Sequence, residues 1–168
     1  MIGSGIFKST DDGNSWHVIA STVPPANNNG STWSYVNRIA IDPNNPSYIY
    51  AASNKGLQAS QDGGNTWVTV KNSVTNAALN GTSLDVKISP DGSLLLTTIG
   101  GIAYYAYPNS AFVTAVTPIP SSANGGGATL PSNGIRLEFA ISPTNSNYAY
   151  VSFIRGFGQF GSGASKGT

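Results

Sequence analysis

The feature that most constrains this chain is a short motif that occurs twice at a regular interval. Residues 9–16 and residues 60–67 both follow the pattern Ser-x-Asp-x-Gly-x-Ser/Thr-Trp. A third segment, from Gly101 to Phe112, keeps the Gly-Ile that precedes the first copy and a closing aromatic residue, but it lacks the Asp. Because a period of about 40 to 50 residues is the signature of a repeat protein, the motif predicts a fold built from similar stacked units.

A second repeated pattern lies between the copies of the motif. Three segments pair an apolar strand that ends at Asp-Pro or Ser-Pro with a polar turn and a second apolar strand: IAIDPNNPSYIYAAS, VKISPDGSLLLTT and FAISPTNSNYAYVS. Pro ends the first strand because it has no N–H to donate to the ladder. Each unit therefore contains four predicted strands: A and B in these segments, C from the Gly-Ile or Gly-Leu pair before the motif, and D from the aromatic residue at its end. Such units are typical of β-propeller blades.

The sequence thus predicts an all-β protein, an incomplete β-propeller of about three four-stranded antiparallel blades. The blade-like repeats cover about residues 1–20, 37–70, 84–116 and 137–168 of a single domain. Since propellers typically have four to eight blades, about three cannot close a ring. We expect the chain to be part of a larger propeller, whose remaining blades belong to a longer chain or to another subunit; symmetric pairing of two copies is the alternative.

The motif itself has the composition of a hairpin held together by its own side chains. Gly accepts the positive φ of a tight turn, and an Asp two residues earlier accepts hydrogen bonds from backbone N–H groups of the turn. The Trp is expected to be an apolar plug between neighbouring sheets. We predict a structural role for Ser9, Asp11, Gly13, Ser15 and Trp16, and for Ser60, Asp62, Gly64, Thr66 and Trp67.

These motifs resemble Asp-box, or BNR, repeats, and the segment RIAIDPNNPSYIYAASNKGLQAS resembles the strands that accompany such boxes. The resemblance implies a β-propeller similar to those of sialidases, xyloglucan-degrading glycoside hydrolases and sortilin-type receptors. It also implies that the box lies on the face away from an active site. The third repeat departs from the pattern, so we expect Pro108 and Asn109 to hold its turn instead.

The residues favour a protein that is not an enzyme. A sialidase-like centre would need an arginine cluster, for which Arg38, Arg136 and Arg155 are the candidates, but the arginine motif that opens that fold is not visible. The xyloglucanase resemblance implies an Asp in the turn between strands B and C, where this chain has Asn54. Glycoside hydrolysis of the usual type needs two carboxyl groups, and the chain has a single Glu, Glu138. We therefore predict no catalytic residue.

No metal, cofactor or nucleic acid is expected. A calcium loop at the motif would need a distal Glu, and a chain without Cys has no thiolate metal site. The formal net charge of +1 provides no basic stripe for nucleic acid. No apolar run approaches the roughly 18 residues of a membrane helix. The opening MIGSGIFKST lacks the basic and apolar regions of a signal peptide, so we expect either that the protein is not exported by that route or that its true start is missing.

Loop lengths indicate where a ligand would bind. In a propeller the A–B and C–D turns share one face and the D–A and B–C connections share the other. The D–A connections are long, and rigid scaffolds commonly carry recognition in such loops. Trp33 and Tyr35 in the first of them are the candidate ligand-binding residues, unless they begin strand A and pack between blades.

We therefore predict a non-catalytic binding or scaffolding propeller, secreted or on a bacterial cell surface, that engages protein or glycan through its long-loop face. The alternative is a fragment of a glycoside hydrolase whose catalytic carboxylates lie in other blades.

Overall fold

The computed structural model describes residues 3–27, 30–120 and 136–154. These residues form thirteen strands and two short 3-10 helices, Ala20–Thr22 and Thr32–Ser34, so the predicted all-β class is confirmed. The strands are β1 (Phe7–Lys8), β2 (His17–Val18), β3 (Val36–Ile41), β4 (Ile49–Ser53), β5 (Gly56–Ser60), β6 (Val68–Thr69), β7 (Lys71–Asn72), β8 (Val86–Ile88), β9 (Leu95–Ile99), β10 (Ile102–Ala106), β11 (Ala115–Pro118), β12 (Arg136–Ile141) and β13 (Ala149–Ile154).

The strands form four sheets that follow one another along the chain. Sheet 1 is β1-β2, sheet 2 is β3-β4-β5-β6, sheet 3 is β7-β11-β10-β9-β8, and sheet 4 is β12-β13. Neighbouring strands are antiparallel except for β7 and β11, which are parallel. Sheet 2 therefore has the predicted A-to-D order, while sheets 1 and 4 contain, among the described residues, the C–D and A–B pairs respectively.

Sheet 3 differs from the prediction in two ways. It has a fifth strand, because the chain leaving sheet 2 continues as β7 along the outer edge of β11, where the N–H of Lys71 donates to the carbonyl of Thr114 at 2.9 Å. Strand D also begins later than expected, at Ala115 and not at Phe112. The turn before it has no Asp-Gly pair; the N–H of Ala111 donates to the carbonyl of Pro108, and Asn109 adopts a φ of 45°.

Two apolar cores lie between successive sheets. The first packs sheet 2 on sheet 3 and the second packs sheet 3 on sheet 4. Strand β9 contributes to both, because side chains alternate across a strand: Leu95 lies in the first core and Leu96 in the second. The sheets are thus stacked face to face.

A buried tyrosine adds a polar connection between sheets 2 and 3. The hydroxyl of Tyr50 accepts a hydrogen bond at 2.9 Å from the N–H of Val113, in the turn that precedes β11. Burial of this ring raises the pKa of the Tyr50 hydroxyl to about 12. The hydroxyl therefore remains a neutral hydrogen-bonding group at any ordinary pH.

Candidate functional site

The two motif hairpins use their Asp side chains inside the turn. In the second hairpin, Oδ1 of Asp62 accepts hydrogen bonds from the hydroxyl of Ser60 at 2.8 Å and from the N–H of Thr66 at 2.9 Å. Oδ2 accepts the hydroxyl of Thr66 at 2.6 Å. The side-chain and backbone hydrogen bonds from Thr66, and then the one from Ser60, lower the pKa of Asp62 to about 2.

The first hairpin repeats this arrangement. Asp11 accepts from the hydroxyl of Ser9 at 2.8 Å, from the N–H of Ser15 at 2.9 Å and from the hydroxyl of Ser15 at 2.6 Å. Hydrogen bonds from Ser15 and Ser9 lower the pKa of Asp11. The N–H of Gly13, at a φ of 89°, donates to the hydroxyl oxygen of Ser9. Both carboxylates are therefore occupied by hydrogen bonds within their own hairpins.

The two motif tryptophans differ in their surroundings. Trp67 is half-buried, its ring centroid lies 4.9 Å from that of Trp33, and its Nε1 donates to the carbonyl of Gly64 and to the hydroxyl of Ser21. Trp16 is 61% exposed. The described residues therefore do not enclose Trp16 as an apolar plug, whereas Ser21 and Trp33, from the connection that precedes sheet 2, contact Trp67.

The face that carries the motif hairpins is called here the hairpin face. The opposite face, called the loop face, is where the D–A connections meet the B–C turns. One contact between the two kinds of loop is a hydrogen bond: the backbone N–H of Asn54, in the β4–β5 turn, donates to the carbonyl of Tyr35, in the first D–A connection, at 3.2 Å. Tyr35 is 43% exposed, whereas Trp33 is half-buried against Trp67. The two aromatic candidates therefore lie in the same connection, but Tyr35 offers the accessible ring.

A β-bulge brings a further amide to this face. The pairing of β3 with β4 shifts register between Val36 and Arg38, which leaves Asn37 outside the ladder. The side-chain Nδ2 of Asn37 donates to the carbonyl of Ser83 at 2.8 Å. Bulges of this kind redirect side chains, and they are common next to binding sites.

Charged residues recur at one position of the first strand in three consecutive repeats. Arg38, Asp85 and Glu138 each stand the same distance before the strand-ending prolines, Pro43, Pro90 and Pro143. This position lies at the beginning of strand A, where the strand leaves the loop face. The topology thus places Arg38 in β3, Asp85 directly before β8 and Glu138 in β12, in a chain where only 9% of residues are charged.

Asp85 connects the A strands of sheets 2, 3 and 4, which are β3, β8 and β12. Its side chain is fully buried, and its Oδ2 accepts a hydrogen bond from the N–H of Phe139 in β12 at 2.8 Å. Its Oδ1 lies 3.2 Å from Nε of Arg38 in β3 and 3.5 Å from Nζ of Lys87 in β8. No aligned hydrogen bond reaches Oδ1, so these two contacts are ionic in character.

Glu138 completes the cluster. It forms an ion pair with Arg136, at the start of the same strand. The hydrogen bond from Arg136, and then the positive charges of Arg136, Arg38 and Lys87, lower the pKa of Glu138. We call Arg38, Asp85, Lys87, Arg136 and Glu138 the charged cluster. The sequence prediction overlooked it as a unit, although the shared spacing before Pro was a visible signal.

The described residues contain no group of three or more His, Cys, Asp or Glu side chains that could hold a metal ion. On the hairpin face, Nε2 of His17 lies 3.5 Å from the hydroxyl oxygen of Ser15. No helix in the described part of the chain is long and apolar enough to cross a membrane. Arg155 lies outside the described residues.

Comparison with known proteins finds similarity in structure but not in sequence. No family model and no curated protein matches the chain. A GH74 enzyme from Niastella koreensis superimposes with a TM-score of 0.57 and 19% identity, over 88% of this chain and 21% of that chain. A GH74 xyloglucanase from Xanthomonas campestris superimposes with a TM-score of 0.58 and 16% identity, over 92% of this chain and 24% of that chain.

These neighbours are β-propeller enzymes, so the chain has a β-propeller-like fold. At such low identity the similarity concerns the fold alone. The chain spans between a fifth and a quarter of the length of the two solved chains.

Proposed function

We propose that this chain supplies about three consecutive blades of a larger β-propeller and binds glycan through its loop face without cleaving it. The observation that carries the proposal concerns carboxylates. On the loop face of the described residues, Glu138 is the accessible carboxylate, while the side chain of Asp85 is fully buried. Hydrolysis of the usual type needs two carboxyl groups placed on either side of one glycosidic bond.

The turn between β4 and β5 supports the same conclusion. The resemblance to xyloglucanases implies a carboxylate there, but the chain has Asn54, and an amide can act neither as a general acid nor as a nucleophile. A side-chain amide can donate and accept hydrogen bonds, and the turn that carries it is held by the backbone N–H of Asn54, which donates to the carbonyl of Tyr35. This turn is therefore suited to recognition.

The composition of the loop face suits a sugar. Tyr35 offers an accessible ring with a polar tip, the exposed residue Asn37 follows two positions later, and the turn that contains Asn54 is hydrogen-bonded to the backbone of Tyr35. An apolar ring face and convergent hydrogen-bonding groups are the usual means of orienting a polar ligand. A secreted or cell-surface bacterial protein is the setting that we propose for this activity.

The test is binding and turnover on the complete polypeptide as its source makes it. We expect glycan arrays to detect binding, and Tyr35→Ala to weaken it about tenfold, as loss of an exposed aromatic contact does. Tyr107→Ala is the matched control, because Tyr107 is 65% exposed in the β10–β11 turn on the opposite face. Release of reducing sugar that Glu138→Gln abolishes would contradict a non-catalytic role.

A second candidate follows from the structural neighbours. Both are GH74 enzymes, which favours a glycoside hydrolase whose catalytic carboxylates lie in blades beyond this chain. In that case turnover by the complete polypeptide would survive Glu138→Gln. The same assay therefore separates the two candidates.

A further inference from the structure

The charged side chains are divided between the two faces of the molecule. Five of the seven carboxylates lie in turns on the hairpin face, and all except Asp12 accept hydrogen bonds within their own turns: Asp11, Asp12, Asp42, Asp62 and Asp91. Turn formation therefore accounts for the acidic hairpin face.

The loop face carries cations for which turn formation gives no reason. They are Arg38, Lys87 and Arg136 of the charged cluster and Lys55 in the β4–β5 turn. Of the other cations, Lys8 lies in the first hairpin, Lys71 lies in β7, and Arg155 and Lys166 are outside the described residues. The cations of the cluster therefore need another explanation.

Asp85 holds two of these cations next to one another. A buried carboxylate requires a charged partner, and one cation would be enough. Here Arg38 and Lys87 both approach the same oxygen of Asp85, and their side chains remain 44% and 31% exposed. Neither the terminal nitrogens of Arg38 nor Nζ of Lys87 donates an aligned hydrogen bond to any described residue. Two sets of partly exposed donors thus lie side by side, without an aligned acceptor among the described residues.

The charged cluster contains three cations and two carboxylates, so one positive charge has no negative partner within it. Glu138 is paired with Arg136, and Asp85 can neutralise only one of Arg38 and Lys87. Arg38 and Lys87 share the single negative charge of Asp85, so the pair keeps an excess positive charge that attracts a further anion. A single carboxylate would supply that anion, and the planar guanidinium of Arg38 matches a carboxylate in geometry.

We propose that the charged cluster binds the carboxylate of an acidic glycan, such as a uronic acid residue, with Arg38 and Lys87 as its direct ligands. This inference rests on the proposed function, because Tyr35 and Asn54 on the same face are taken to contact the neighbouring sugar. It deepens that function by naming the class of glycan.

The experiment is calorimetric titration of the complete polypeptide with oligogalacturonate, its methyl ester and polyglutamate. We expect oligogalacturonate to bind, the uncharged ester to bind at least tenfold more weakly, and polyglutamate to bind more weakly than oligogalacturonate. Lys87→Gln should weaken oligogalacturonate binding about tenfold, which is the loss expected for one charge-assisted hydrogen bond. Lys87→Arg should retain binding, and Lys8→Gln, on the hairpin face, should leave it unchanged.

The outcomes are separable. Unchanged binding by Lys87→Gln, an equal loss in Lys8→Gln, or polyglutamate binding as tight as that of oligogalacturonate would overturn the inference. Binding of neutral glycans with no preference for the acid would also overturn it while leaving the proposed function intact. Failure to bind any glycan, neutral or acidic, would overturn both. An unchanged thermal melting curve for Lys87→Gln shows that the variant is folded.

Discussion

At the scale of single residues, the hydrogen bonds of Asp62 make the stability of the second hairpin depend on pH. Its pKa is about 2 in the folded chain, against an ordinary value of 3.8. A lowered folded-state pKa stabilises the protein fully above the ordinary value, and this contribution is lost as the pH falls through the folded value. We expect Asp62→Asn to lower the melting temperature near neutral pH, and the difference from the parent protein to shrink between about pH 4 and pH 2.

Asp12→Asn is the matched control for this prediction. Asp12 lies in the first hairpin at a φ of 57°, a conformation that Asn tolerates well, and its carboxylate accepts no hydrogen bond from the described residues. Melting curves of the control should follow those of the parent at every pH. A constant difference between Asp62→Asn and the parent down to pH 2 would contradict the role of the ionised carboxylate.

The two motif tryptophans should differ in their contribution to stability. Trp67→Ala removes the ring packed on Trp33 and two Nε1 hydrogen bonds, so we expect a loss of about 2 kcal/mol, below the range for a fully buried ring. Trp16→Ala removes a ring that is 61% exposed, and we expect a loss below about 1 kcal/mol. Urea unfolding followed by circular dichroism measures both, and equal losses would show that exposure does not decide the effect.

How much of a site can be predicted from sequence depends on the sequence separation of its contacts. The hydrogen bonds of Asp11 and Asp62 reach at most four residues along the chain, so turn chemistry alone suggests them. Asp85 bonds Phe139 across 54 residues, and Trp67 reaches Ser21 across 46. Such partners depend on how whole sheets stack, which a local pattern does not specify.

At the scale of elements, the pattern of apolar residues and prolines predicted strands A to D of sheet 2 in the order that the structure shows. It did not predict β7. That strand is two polar residues long, Lys71 and Asn72, and it exists because the edge of β11 offers unpaired backbone groups beside it. Strands defined by their partner and not by their own composition escape prediction from sequence.

Strand β9 offers a test of the two-core arrangement, because neighbouring residues on it lie in different cores. Leu95→Ala and Leu96→Ala should each cost about 2 to 5 kcal/mol, the usual range for a buried Leu. The regions affected should differ: hydrogen exchange should rise in sheets 2 and 3 for the Leu95 variant, and in sheets 3 and 4 for the Leu96 variant. Identical exchange maps would contradict separate cores.

At the scale of the whole molecule, apolar surface remains uncovered on one face of sheet 2 and on one face of sheet 4, called here the end faces. On β3, Ile39 and Ile41 are 42% and 55% exposed on the side that faces away from sheet 3. On sheet 4, Tyr150 and Ile154 are 52% and 56% exposed on the side that faces away from the second core. Because sheets 2 and 3 bury the equivalent surfaces against one another, further sheets are the natural cover for these two faces.

These uncovered faces predict how the 168-residue chain behaves on its own. We expect it to self-associate and to bind a hydrophobic dye, because its end faces are apolar and β13 has an antiparallel partner on only one edge among the described strands. Ile41→Lys combined with Tyr150→Lys should reduce both effects, whereas Tyr107→Lys, on the hairpin face, should change neither. The polypeptide as its source makes it should show neither effect, since its remaining blades or a partner subunit would cover the faces. Light scattering that finds a 17.3 kDa monomer without dye binding would mean that these faces need no cover, and the larger propeller would lose its physical basis.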